Sequence, residues 1–109
     1  MPLIRLAYTS RLSPMVTDAD INDLAARAAV FNRAHAITGV LAIENGMVCQ
    51  ILEGPEDDVR ALFGSICRDP RHSGIVELTS YPIDRPYYED WGMARKPMID
   101  IVIMSLTAA

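Results

Sequence analysis

Apolar and polar residues alternate from Leu3 to Tyr8, with Ile4, Leu6 and Tyr8 on one side, and this period of two predicts a first β-strand. Thr9 to Val16, which carries Pro14, reads as a loop. Thr17 stands three residues before Asp20, the form of a capping box, and opens a helix. Ile21, Leu24, Ala25, Ala28, Phe31 and Asn32 then recur on one helical face, and the helix is expected to fray near His35. Thr38 to Ile43 and Met47 to Glu53 are apolar runs separated by Glu44-Asn45-Gly46, and Asn-Gly at that point is a strong hairpin signal. Pro55 and the acids Glu56, Asp57 and Asp58 start a second helix, where the positive end of the dipole favours them. Its buried stripe is expected to be Val59, Leu62, Phe63, Ile66 and Cys67, and Asp69-Pro70 stops it. Ile75 to Tyr81 predicts a fourth strand and Tyr87 to Arg95 a fifth, and Met98 to Leu106 is a last apolar segment of either type.

The order β-α-β-β-α-β-β is that of an α+β, ferredoxin-like fold, with one mixed sheet carrying two helices on one face. Leu3, Ala7, Cys49 and Ile51 point to the other face, so either the C-terminal segment or another subunit is expected to cover them. A homo-oligomer is the expectation.

Composition narrows the function. A chain of 109 residues makes one domain, since two cores of half that size would each be marginal. The net charge of −4, from 14 acidic and 10 basic residues, argues against a protein whose main task is gripping a phosphate backbone. No apolar run approaches the roughly 18 residues of a membrane span, and the N-terminus lacks the pattern of a signal peptide. Cys49 and Cys67 sit in apolar patterns without pairing or metal-ligand spacing, which reads as buried reduced thiols in a cytoplasmic protein with no metal site.

Three polar residues break the apolar pattern. Asn32 falls on the core-facing stripe of the first helix, Gln50 lies between Val48 and Leu52 on one side of the third strand, and Tyr8 ends the inward row of the first. All three converge between helices and sheet. Leaving such groups unpaired costs roughly 1–3 kcal/mol each, so they require partners, in one another or in a guest. A flat heterocycle with a uracil-like edge suits carboxamides, which both donate and accept, and Ala25, Ala28 and Ala29 leave room for it. Arg68-Asp69-Pro70-Arg71-His72, just past the second helix, offers donors for a phosphorylated tail as well as an ordinary solvated helix end. Trp91 and Met93 share a face of the fifth strand.

Taken in order, Arg5-Leu6-Ala7-Tyr8-Thr9-Ser10, Asn32 with Ile37-Thr38-Gly39-Val40-Leu41, Gln50-Ile51-Leu52-Glu53-Gly54, Asp69-Pro70-Arg71-His72 and Trp91-Gly92-Met93 resemble a BLUF domain, the blue-light sensor that uses FAD. The resemblance runs from Leu3 to about Met93 and implies a flavin-binding domain over residues 1–96, followed by a short apolar segment, 97–109. It implies a photoreceptor without catalytic turnover, binding FAD non-covalently, with FMN or riboflavin able to take its place. By position, Asn32 is expected at the ring's pyrimidine edge and Gln50 near N5 and O4, while Tyr8 bonds Gln50 and donates an electron. Leu24 and Ile66 are expected to sandwich the ring, with Asp69, Arg71 and His72 towards its outer edge and tail. Trp91 and Met93 are the pair expected to change places as the signal leaves, towards a separate protein partner.

A carboxamide reverses donor and acceptor by rotating or by changing tautomer, which would let Gln50 hold two hydrogen-bonding states. Two positions depart from the family pattern: Phe31 replaces a polar residue, and Ser65 stands where a longer donor to the ring's C2 carbonyl is usual. Two other functions are compatible with the plan. An acylphosphatase-like hydrolase would use Arg11 with Asn45, although Asn45 is explained by the hairpin turn and no glycine-rich anion cradle accompanies Arg11. A flavin-free dimerisation module would satisfy the buried polar groups internally. Nucleic acid is disfavoured, because the open sheet face lacks a basic-aromatic pattern.

Overall fold

The computed structural model describes residues 2–88 and the backbone of 94 and 95. Its elements are β1 (Leu3–Leu12), α1 (Asp18–Ala34), β2 (Thr38–Glu44), β3 (Met47–Pro55), α2 (Glu56–Arg68), β4 (His72–Ile83) and β5 (Ala94–Arg95). They build one sheet in the order β4-β1-β3-β2-β5. β1 is antiparallel to β3 and β4, β3 is antiparallel to β2, and β5 joins β2 in parallel, so the sheet is mixed as expected.

Two local devices are as the sequence predicts. Thr17 caps α1: its Oγ1 accepts from the Asp20 N–H at 3.1 Å, and Asp20 accepts the Thr17 N–H in return at 3.0 Å. Asn45 and Gly46 both take positive φ, 52° and 77°, the conformation that a two-residue hairpin turn demands.

The inner face of the sheet carries Ile4, Leu6, Tyr8, Ile37, Leu41, Val48 and Leu52, packed with Val59, Leu62, Phe63 and Ile66 of α2. A fully buried Leu6, Leu52 or Val59 contributes about 1.5–3 kcal/mol. The exit of α1 is fixed by a Schellman motif, in which Ile37 N–H reaches the Asn32 carbonyl at 2.8 Å and Ala36 sits at φ 55°. Gly54 lets this exit lie against β3, since a Cβ there would stand 2.9 Å from the Ala36 carbonyl oxygen.

Several expectations need correction. β1 continues to Leu12 instead of ending at Tyr8, because it lies between two partner strands: Arg11 pairs with Met47 on one side and Ser73 on the other. Cys67 is exposed, not part of the α2 stripe, while Cys49 is buried. Tyr87 and Tyr88 lie outside any strand, and only Ala94–Arg95 of the expected fifth strand is described as paired. Ala7, Cys49 and Ile51 of the outer face are fully buried within the single chain, beside Val40, Ala42 and Tyr88, so their burial does not require another subunit. Trp91, Met93, the 96/97 boundary and the segment 97–109 lie outside the described residues.

Candidate functional site

A cleft runs between the two helices and the inner face of the sheet. Ile21, Leu24, Ala25 and Ala28 of α1 form one wall, Leu62 and Ile66 of α2 the other, and Tyr8, Leu41, Val48 and Gln50 lie on the sheet side. Asp69, Arg71 and His72 stand at one end. Its cavity volume is about 170 Å³, smaller than the roughly 300–1,000 Å³ usual for small-molecule sites, and the cleft opens to solvent. Among the buried residues of α1 are Ile21 and Asn32, while Leu24, Ala25 and Ala28 are only half-buried. An apolar helix face left so open calls for a guest.

Tyr8 and Gln50 are cross-strand partners on β1 and β3, and the Tyr8 hydroxyl donates to Gln50 Oε1. Both side chains are buried. The Tyr8 ring packs 5.3 Å from that of Phe63 at a tilt of 49°. Burial pushes the Tyr8 phenol well above its ordinary value, aided by Cys67, Cys49 and Asp69, so it remains a neutral donor. The register of β1 against β4 shifts between Ala7 and Tyr8, a local irregularity beside the tyrosine.

Asn32 is fully buried, and neither its Oδ1 nor its Nδ2 has a hydrogen-bond partner. Its main-chain carbonyl is taken by Ile37, which leaves the amide head as a complete donor–acceptor pair in the interior. A ring edge with carbonyl and N–H groups satisfies both atoms at once, so the residues present fit a flavin.

The end of the cleft is pre-ordered. Asp69 caps α2, its Oδ1 accepting from the Arg71 backbone N–H at 3.0 Å and from Arg71 Nε at 2.9 Å. This pairing holds the Asp69 carboxyl down to about 2 despite some desolvation. His72 Nε2 donates to the Ile66 carbonyl at 2.9 Å, so in the neutral ring Nδ1 accepts from Ser10 Oγ at 2.8 Å. Both nitrogens of His72 are therefore engaged within the protein, and its ring acts as wall.

Leu24, Gln50, Ile66, Asp69, Arg71, His72 and Tyr8 are brought together as expected. Two expected residues do not line it: Asn32 is buried behind the lining, and Ser65 is exposed, beside Arg68 at 3.5 Å. Phe31 also turns away and stacks on His35 at 4.1 Å. Ser10 and Phe63 were not singled out for the site, although Ser10 shares the inward row of Leu6 and Tyr8 and was legible in principle. The hydrolase alternative finds no support: Asn45 is spent on the hairpin turn and Arg11 is exposed on β1.

The fold and cleft define a ferredoxin-like domain with an apolar cleft beside a buried tyrosine–glutamine pair. Residues 3–94 match the family model BLUF, sensors of blue light using FAD. The photoactivated adenylate cyclase subunit beta of Euglena longa is 34% identical over 90 residues, 82% of this chain and 10% of that protein. The blue light- and temperature-regulated antirepressor BluF of Escherichia coli (strain K12) is 36% identical over 76 residues, 70% of this chain and 19% of that protein. Among solved structures, the dark state of BlrB, a BLUF protein, superposes with a TM-score of 0.83 at 30% identity, covering 94% of this chain and 77% of that one. The photo-activated state of BlsA gives 0.80 at 32% identity, covering 89% and 72%. The chain belongs to the BLUF family: it is a flavin-binding blue-light sensor domain, and it spans a small part of the curated relatives it matches. Among the described residues no helix is long and apolar enough to cross a membrane.

Proposed function

We propose that this cleft holds FAD, with FMN or riboflavin able to replace it, and that Tyr8 and Gln50 convert absorption of blue light into a changed hydrogen-bond pattern. The observation that carries this reading is the Tyr8–Gln50 hydrogen bond beside an apolar cleft between the helices and the sheet. Asn32 supplies the buried amide for the ring's pyrimidine edge, Leu24 and Ile66 its two faces, and Asp69, Arg71 and His72 the outer end. Ser65 is assigned no contact, because it lies outside the cleft.

A bound flavin supplies absorption in the blue and an excited state that accepts an electron. With a flavin bound, Tyr8, kept protonated by burial, would give an electron to the ring and pass its proton through Gln50 to the same ring, and would then recover both. Gln50, whose Oε1 accepts from Tyr8 in this structure, would emerge rotated or as the other tautomer, with its donor and acceptor positions exchanged. That exchange would strengthen hydrogen bonding to a bound flavin and move its absorption to longer wavelength. Trp91 and Met93, on the stretch leading to β5, are assigned the outgoing step, and a separate cytoplasmic protein partner receives it. In a homo-oligomer, a second copy would cover Val76 and Leu78, exposed on β4.

The test is an absorption spectrum of the purified protein. The expected result is a yellow protein whose visible band moves to the red under blue light and returns in darkness. A colourless protein that takes up no added flavin, or a flavin band indifferent to light, overturns the reading.

A further inference from the structure

On the outer face of the sheet, directly behind the cleft, lies a second cross-strand pair on the same two strands. Arg5 pairs with Glu53 as Tyr8 pairs with Gln50. Each member is three residues from its counterpart, so strand alternation places the two pairs on opposite faces, roughly 10 Å apart along the strands. Arg5 Nε meets Glu53 Oε2 at 2.9 Å, with 4% and 0% of the two side chains exposed. Arg5 Nη1 also donates to the Tyr81 hydroxyl at 2.9 Å, and the guanidinium lies 5.6–5.7 Å from the ring centres of Tyr81, Tyr87 and Tyr88.

The other carboxylate oxygen does something a plain ion pair does not. Glu53 Oε1 accepts the backbone N–H of Tyr87 at 2.8 Å and of Tyr88 at 2.9 Å. Both oxygens are thus engaged, one by a cation and one by the main chain of the stretch that leads towards β5. Well-packed apolar residues often serve stability as well as a buried ion pair does. What they lack is a fixed acceptor for two main-chain donors.

We propose that Glu53, backed by Arg5, is a positioning residue for the light response: it ties the Tyr87–Tyr88 backbone to the strand that carries Gln50. A rearrangement of the Tyr8–Gln50 pair on the helix face then reaches the Tyr87–Tyr88 backbone on the opposite face, through one short length of β3. This rests on the photochemical roles proposed above for Tyr8 and Gln50.

Hydrogen exchange at the Tyr87 and Tyr88 amides, measured on the full chain with bound flavin in darkness and under blue light, tests the proposal. In the unaltered protein both amides are protected in the dark, and light accelerates them about tenfold or more, the scale of losing a hydrogen bond to a charged acceptor. Glu53→Ala raises their dark exchange by a similar factor and removes the light-dependent difference, while the absorption shift persists. Glu53→Gln, which keeps one acceptor oxygen at the same place, falls between the two. Amides that stay protected in Glu53→Ala overturn the proposal. So does an unaltered protein whose absorption shifts while these amides exchange equally in dark and light, a comparison that needs no variant to fold. If no absorption shift occurs at all, the Tyr8–Gln50 reading fails and the relay with it, while dark exchange in the variants still decides whether Glu53 holds this stretch.

Discussion

Tyr8 and Asn32 are both buried and polar, and they make different demands on the protein. Tyr8 is satisfied by Gln50 already, so Tyr8→Phe removes a donor without emptying the cleft. The variant is expected to keep its flavin and its colour and to lose the light-induced red shift, as difference spectra will show. Asn32 lacks partners for both atoms of its amide head, a condition worth roughly 1–3 kcal/mol of instability. Asn32→Leu, of similar size, is therefore expected to stabilise the flavin-free protein by about that amount and to weaken flavin binding by tenfold or more. Denaturation of the flavin-free protein and fluorescence titration with FAD measure the two effects; equal affinity in the variant would remove Asn32 from the site. These residues were legible because each interrupts an apolar row that a period of 2 or 3.6 defines. Arg5 and Glu53 were not singled out. They face the side of the sheet where a charge normally meets water, and only the pairing register reveals that they meet each other.

Among the elements, α1 was read from its cap and stripe, and its observed bounds agree with both. Its end near His35 was expected as well, but the form of the turn that follows was not readable. A Schellman turn usually carries glycine after the cap, and here Ala36 takes φ 55°. That conformation costs an L-residue about 1–2 kcal/mol, so Ala36→Gly is expected to raise stability by up to about 1 kcal/mol once the greater freedom of unfolded glycine is counted. Urea denaturation checks it. The end of α2 is tuned by Asp69, whose carboxyl sits near 2 against an ordinary 3.8. The lowered value means that its stabilisation is fully present above about pH 4 and is lost as pH falls towards 2. Asp69→Asn is expected to remove the part of the acid-induced loss that falls in this window, read from melting temperature against pH. β1 ran longer than its alternation suggested because ladder bonds on both sides outweigh the polar character of Thr9 to Arg11.

Across the whole molecule, the sheet separates a face that meets the helices from one that meets the stretch around Tyr87 and Tyr88. Cys49 is fully buried on the second face, where burial also raises its thiol above the ordinary value, whereas Cys67 is exposed on α2. A thiol reagent is expected to modify Cys67 promptly and Cys49 only at the rate of global opening, so mass spectrometry of the folded protein will find one label before two. Simultaneous labelling would mean that the outer face is not sealed. The topology was legible because helix and strand periods alternate cleanly along the chain. The covering of the outer face was not, since it depends on contacts between distant segments that no local pattern encodes.

The half-covered apolar wall of α1 has a consequence for handling the material. Whatever lodges there binds the native chain and not the unfolded one, so mass action makes heat resistance a function of vitamin supply. Cells short of riboflavin are expected to yield a more fragile, protease-sensitive product, and a partly loaded batch to melt over a broader range than a saturated one.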